Sequence, residues 1–328
     1  MSSRTTSHRA LGRRLVDPRG WPWWVQVLAV YGAARAVSAV VLMTVAAHQV
    51  ENLWTPASPS YSDWTGLMWD SSWYRTISED GYPETLPRGD DGTVQQNPWA
   101  FYPLYPMLVR AGTALTGLGW EVLAPTLSLL LGAAAMLVVH RLVSTADRAV
   151  ARRPGLPLAT VAVVSLFPSS PVLQTAYTEG LALLLVAVTL YLIVRRQYEW
   201  AAASVLLLGL SRGVALPMAC VVVWHGAMRA REWWSTRGER RDGWWVDPLR
   251  ITVLLCATVL SGVLWQLVAS WRTGSPTPTS ARSPPGVPAT GSCRSSRGST
   301  SLAGCGATSG PGWRWPSCSR SWPSCSAP

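Results

Sequence analysis

The chain has 328 residues, of which only 14% are charged, with a net charge of +11 and a mean hydropathy of +0.17. A soluble protein carries about 25% charged residues, so this balance and the long apolar runs exclude an ordinary soluble globule and point to a polytopic membrane protein. Every basic residue is arginine, and the arginines gather beside apolar runs, where the positive-inside bias places them, so no nucleic-acid partner is expected.

Residues 1–21 form a basic N-terminus with Arg4, Arg9, Arg13, Arg14 and Arg19. No short apolar core with a small-residue exit follows them, so no cleavable signal is expected, and the arginines place this end in the cytoplasm. Residues 22–47 form the first predicted span; 26 residues reach roughly 39 Å. Trp21, Trp23 and Trp24 stand at its start as an interface belt. Arg35 lies mid-span, either as a functional cation or as a structural partner inside the bundle.

Residues 48–121 form an outer loop region, and its first part, 48–100, holds eight acids against two arginines. Within it, Trp69 to Ile77 places aromatic and apolar residues at helical spacing and predicts a short helix lying on the membrane surface. Asp70 sits there among Trp69, Trp73, Tyr74 and Tyr82. Residues 101–118 read as a second interfacial helix. Were they a span, 122–143 would end outside and expose Arg141, Arg148, Arg152 and Arg153 there.

Spans are then predicted at 122–143, 157–175 and 177–194, followed by an up-down pair of short halves, 198–211 and 213–228, broken at Ser211-Arg212-Gly213. Short broken helices suit a cavity wall rather than lipid. The arginine-rich segment 229–248 returns inside, and 249–271 is the last span. The expected fold is thus all-α, with about seven transmembrane helices over 22–272.

From 273 to 328 the composition changes: acids, Ile, Met, Phe and Tyr vanish, while Ser, Pro, Gly, Arg, Cys and Trp dominate. Such a segment cannot build a packed core and reads as disordered. Disorder does not by itself enrich Trp and Cys, whereas a GC-rich gene read out of frame yields this mixture. The tail is therefore expected to be frameshifted near codons 273–276.

Cys220 and Cys256 lie in apolar runs, Cys293, Cys305, Cys318 and Cys325 lie in the tail without zinc spacing, and the histidines are scattered. No metal or other cofactor is expected. The topology instead gathers Asp70, Glu179 and Arg212 at one outer face, with Arg35 below. An arginine fork binds phosphate, and a carboxylate can take a proton from an attacking hydroxyl, so a substrate with a phosphate and a hydroxyl fits.

The stretches WDSSWYRTISEDGY, NPWAFYPLYPMLVR, FPSSPVLQTAYTEGLALLL and LSRGVALP stand in the order seen in PIG-V-like mannosyltransferases, which the chain resembles over roughly residues 22–228. These belong to the GT-C class of membrane glycosyltransferases. The resemblance implies sugar transfer on the outer face of the cell membrane from a polyprenyl-phosphate mannose to a glycolipid, polymer or protein acceptor, with Asp70 as general base. Glu179 matches the acid of the family's Tyr-(Ser/Thr)-Glu stretch, although Gly180 stands where a small hydroxyl residue is common. Arg212 matches a basic position in the later motif. With Glu179 catalytic, the residues expected to bind substrate are Arg35, Trp69, Trp73, Tyr74, Tyr177 and Arg212. The competing readings are a lipid-linked sugar transporter or flippase, and a truncated, non-catalytic membrane protein.

Overall fold

The computed structural model describes residues 20–90, 92–146, 153, 155–235, 246–275 and 278. All of them lie in the first of two units into which the chain divides, Met1–Ser283. The expected frameshifted tail lies outside the described residues, apart from 273–275 and 278.

Among the described residues the regular elements are helical. The helices α1 (Trp23–Ala47), α2 (Tyr61–Leu67), α3 (Asp70–Glu79), α4 (Leu104–Thr116) and α5 (Trp120–Ala146) form the first half. The second half holds α6 (Leu156–Leu166), α7 (Glu179–Val194), α8 (Tyr198–Gly209), α9 (Ala215–Ser235) and α10 (Val246–Thr273). Short 3-10 turns cover Pro98–Ala100 and Ser170–Gln174.

Three helices are long and apolar enough to cross a membrane: Trp23–Ala47, Trp120–Thr145 and Asp247–Thr273. A bilayer core needs about 20 apolar residues in helix, and each of these exceeds that. The other four expected passes fall on shorter or more polar helices. The run 157–175 is the clearest departure: α6 covers 11 residues, roughly 16 Å, before the chain turns. It stops at Leu166, one residue before the Phe167-Pro168 pair, because proline disfavours the helical conformation in the residue before it.

Arg35 serves that stop. Its guanidinium donates to the Ser165 carbonyl at 2.6 Å, to the Ser170 hydroxyl at 2.7 Å and to the Ser170 carbonyl, and the residue is 5% exposed. The mid-span cation is thereby accounted for structurally. It joins the Ser165 carbonyl at the end of α6 to Ser170 at the start of the turn that follows.

The long helices show a buried stripe and an outer apolar face. In α1 the stripe runs Val27, Tyr31, Ala34, Ser38, Leu42 and Ala46, while Val37, Val40, Val41 and Val45 are exposed. A helix apolar on both faces is what a lipid surround selects. Helix α5 packs against α1, α2, α4, α6 and α7; α7 then packs on α8, α8 on α10, and α10 on α9. The α5–α7 crossing is close because Gly180 has no side chain: a Cβ there would stand 2.7 Å from the Ser128 carbonyl oxygen. That contact explains why glycine occupies a position at which a hydroxyl residue would have been unremarkable.

Helices are present where 69–77 and 101–118 predict them, as α3 and α4, and α4 ends on Gly117 in the left-handed region. The break between the two short halves is also present, from Leu210 to Val214. It is tied to the start of α4 by the Leu104 N–H donating to the Leu210 carbonyl at 3.0 Å. Helix α2 was not expected. Its signal is the Ser60-x-x-Asp63 cap, in which the Ser60 hydroxyl accepts from the Asp63 N–H at 3.1 Å.

Candidate functional site

The site begins at a strained residue. Trp69 has φ +52°, a region that a bulky side chain rarely adopts. The indole is held there by an edge contact to Trp64 at 5.7 Å and a tilted contact to Trp54 at 6.5 Å. This kink starts α3 at the next residue, Asp70, and leaves both Trp69 and Asp70 exposed.

The segment before α7 is pinned against α2 and α3. The Ala176 N–H donates to the Thr65 carbonyl at 2.8 Å, and the Ser71 hydroxyl donates to the Ala176 carbonyl at 3.2 Å. Two sequence stretches about a hundred residues apart are thus sewn together. The Tyr177 hydroxyl follows, donating to the Met68 carbonyl at 3.4 Å. Burial raises its pKa above the ordinary phenol value, with the nearby Asp70 charge adding to the rise and a hydrogen bond from the Asp70 backbone opposing it.

Tyr74 stands at the centre of an aromatic group, edge-on to Phe101, Tyr105 and Tyr177 at 5.4, 5.9 and 6.5 Å. Burial pushes its phenol up to about 12, against a hydrogen bond to Thr178 that lowers it. Thr178 also meets Arg212 Nη1 at 3.4 Å, and the same nitrogen pairs with Glu179 Oε1 at 2.6 Å. Burial lowers the Arg212 pKa, but the Glu179 carboxylate outweighs this, and Asp70 adds to the rise. The second Glu179 oxygen is buried without a hydrogen-bond partner.

Asp70 opens on a cleft of about 430 Å³. Trp54, Trp69, Trp73 and Phe101 form its walls, with Gln96, Asn97 and Ala100 completing them. Trp73 stacks on Phe101 with centroids 5.7 Å apart. Asn97 is fixed by donating to the Gln95 and Pro278 carbonyls and accepting from the Trp99 N–H.

Of the expected residues, Trp69, Asp70 and Trp73 line the cleft, and Tyr74, Tyr177, Glu179 and Arg212 form a connected group behind it. Arg35 is not brought to them: both its Nη groups are bonded at the end of α6 and in the turn that follows. Thr178, Gln96, Asn97, Phe101 and Trp54 were not singled out. Asn97 and Phe101 lie in the NPWAFY stretch, which did carry a signal; Trp54 had none, since only folding brings it to Trp69. Among the described residues no three His, Cys, Asp or Glu side chains gather as a metal site would require.

Comparison with protein-family models, curated proteins and solved structures found no match to this chain. The chemistry must therefore be read from the site itself. It offers a solvent-open carboxylate, an aromatic cleft beside it, and an arginine half free of its acid partner.

Proposed function

We propose that the chain is a GT-C-type membrane glycosyltransferase of about seven passes, with its N-terminus in the cytoplasm and its active face outside the cell membrane. In this reading it moves a mannosyl or other hexosyl unit from a polyprenyl-phosphate sugar to an extracytoplasmic glycolipid, polymer or protein. The observation that supports it is the meeting of Asp70, open to a cleft, with the Glu179–Arg212 pair within electrostatic reach.

The step would run as follows. An acceptor hydroxyl gives its proton to Asp70 while its oxygen bonds to the anomeric carbon. The bond from that carbon to the phosphate oxygen breaks, and the lipid phosphate leaves with the electron pair, facing Arg212. Glu179 orients Arg212 and holds it charged. A general base contributes roughly 10²–10⁴-fold. Membranes carrying the chain, Asp70→Asn, or a version with the expected reading frame restored after codon 272 would be supplied with radiolabelled polyprenyl-phosphate mannose. The expected outcome is transfer that Asp70→Asn reduces by at least about a hundredfold with insertion unchanged. No transfer from any lipid-phosphate donor by the frame-restored chain would end the enzyme reading.

A lipid-linked sugar flippase is the second reading, favoured by the helix break at Leu210–Val214 that carries Arg212. It predicts movement of the intact donor across vesicles without cleavage of its sugar–phosphate bond.

A further inference from the structure

The cleft and the arginine are two separate environments. Three tryptophans and a phenylalanine wall the cleft, and among the described residues that line it the one charged group is the Asp70 carboxylate and none is a cation. Arg212 lies behind, spent in part on Glu179 and Thr178. An anion in the cleft would face the Asp70 carboxylate, while Arg212, which feels Asp70 electrostatically, is already paired with Glu179. Flat apolar faces match the C–H face of a pyranose, and the Gln96 amide and the Asp70 carboxylate offer a donor and acceptors for ring hydroxyls. A quaternary ammonium would use the aromatic faces but leave the Gln96 amide without a role.

The geometry points to a charge-selective ring subsite: the cleft takes an uncharged pyranose and rejects one bearing a carboxylate or phosphate, with Trp69 as the stacking face and Gln96 as the hydroxyl reader. This rests on the transferase reading only for which sugar it would be. In that reading the general base faces the acceptor, so the acceptor's terminal ring is a neutral sugar and the leaving phosphate stays outside the cleft. The Trp69 side chain, on a strained backbone, lines the opening and is 47% exposed.

The test is equilibrium binding on the purified full-length chain in nanodiscs, read by intrinsic tryptophan fluorescence, and it needs no transfer activity. The probes are methyl α-mannopyranoside, methyl glucuronide and choline. The expected result is saturable binding of the mannoside, at least about tenfold tighter than the glucuronide, and about tenfold weaker in Trp69→Leu. Asp70→Asn, which removes the like charge and little volume, is expected to admit the glucuronide within about threefold of the mannoside. Trp200→Leu, at an exposed position outside the cleft, serves as the control and leaves binding unchanged. Choline binding tighter than the mannoside, equal binding of mannoside and glucuronide, or loss of selectivity in the Trp200 control would each overturn the inference. Mannoside binding by a chain that transfers no sugar would uphold the subsite and remove the enzyme reading; transfer without selective ring binding would do the reverse.

Discussion

At the scale of single residues, the arginines divide by what surrounds them. Arg35 is buried with both Nη groups bonded to the Ser165 and Ser170 oxygens and its Nε without a hydrogen-bond partner, whereas Arg212 keeps nearly half of its side chain in solvent and pairs with one carboxylate. Removing Arg35 orphans buried acceptors, each costing about 1–3 kcal/mol. Arg35→Met is therefore expected to lower stability by about 3 kcal/mol, seen as a fall in Tm in detergent, and to reduce any transfer only through folding. Arg212→Ala should spare the Tm and remove transfer. An Arg35→Met protein with unchanged Tm would show that the guanidinium is not holding the end of α6.

Tyr74 gives a pH prediction at the same scale. Its folded pKa, about 12, exceeds the ordinary 10.0 because burial disfavours the phenolate. Its contribution is therefore complete below about pH 10 and is lost as pH rises through about 12. Linkage puts the loss at about 3 kcal/mol. Chemical denaturation between pH 9 and 12 should show Tyr74→Phe losing less stability than the parent chain. Parallel curves would mean that the phenol titrates as if exposed.

At the scale of elements, two close crossings set the helix spacing. A Cβ at Gly180 would press on the Ser128 carbonyl, and one at Gly209 on the Ser261 backbone, so α7–α5 and α8–α10 both depend on a missing side chain. Overpacking costs about 1–3 kcal/mol. Gly180→Ala and Gly209→Ala are each expected to lower the Tm, and Gly180→Ala should also disturb the adjoining Glu179–Arg212 pair. A Gly180→Ala protein with parental Tm would mean that the helices separate without strain. Helix boundaries were largely legible from the sequence. Apolar length gives α1, α5 and α10, and Ser211-Arg212-Gly213 gives the break before α9, whereas the expected span 157–175 runs through Pro168, where α6 has already ended at Leu166. What length could not give was the shortness of α6, because the apolar run continues past Pro168 into a turn held by Arg35.

At the scale of the molecule, the last described helix closes on the 80–100 loop. Trp265 of α10 stacks on Trp99 with centroids 5.4 Å apart and donates its indole N–H to the Trp99 carbonyl at 3.0 Å, and Tyr82 packs on both rings. This cluster braces the loop that carries Gln96 and Asn97, so α10 positions the cleft without lining it. Trp265→Ala removes a buried aromatic at a cost of about 3–5 kcal/mol. It is expected to speed tryptic cleavage after the exposed Arg88, read by limited proteolysis, and to weaken ring binding. Unchanged cleavage would show that the loop holds itself.

The sequence alone determined the helical class, the main apolar helices, and Asp70, Glu179 and Arg212 as residues worth bringing together. Those features are local: apolar length, turn chemistry and the placing of rare charges are written in consecutive residues. The tertiary structure alone decided that Arg35 serves a helix end, that Trp54 and Gln96 wall a cleft with Trp69, and that Thr178 links Tyr74 to Arg212. Each of these depends on contacts between residues far apart in the chain. Distant segments are also tied directly, by backbone hydrogen bonds from Ala176 to Thr65 and from Leu104 to Leu210.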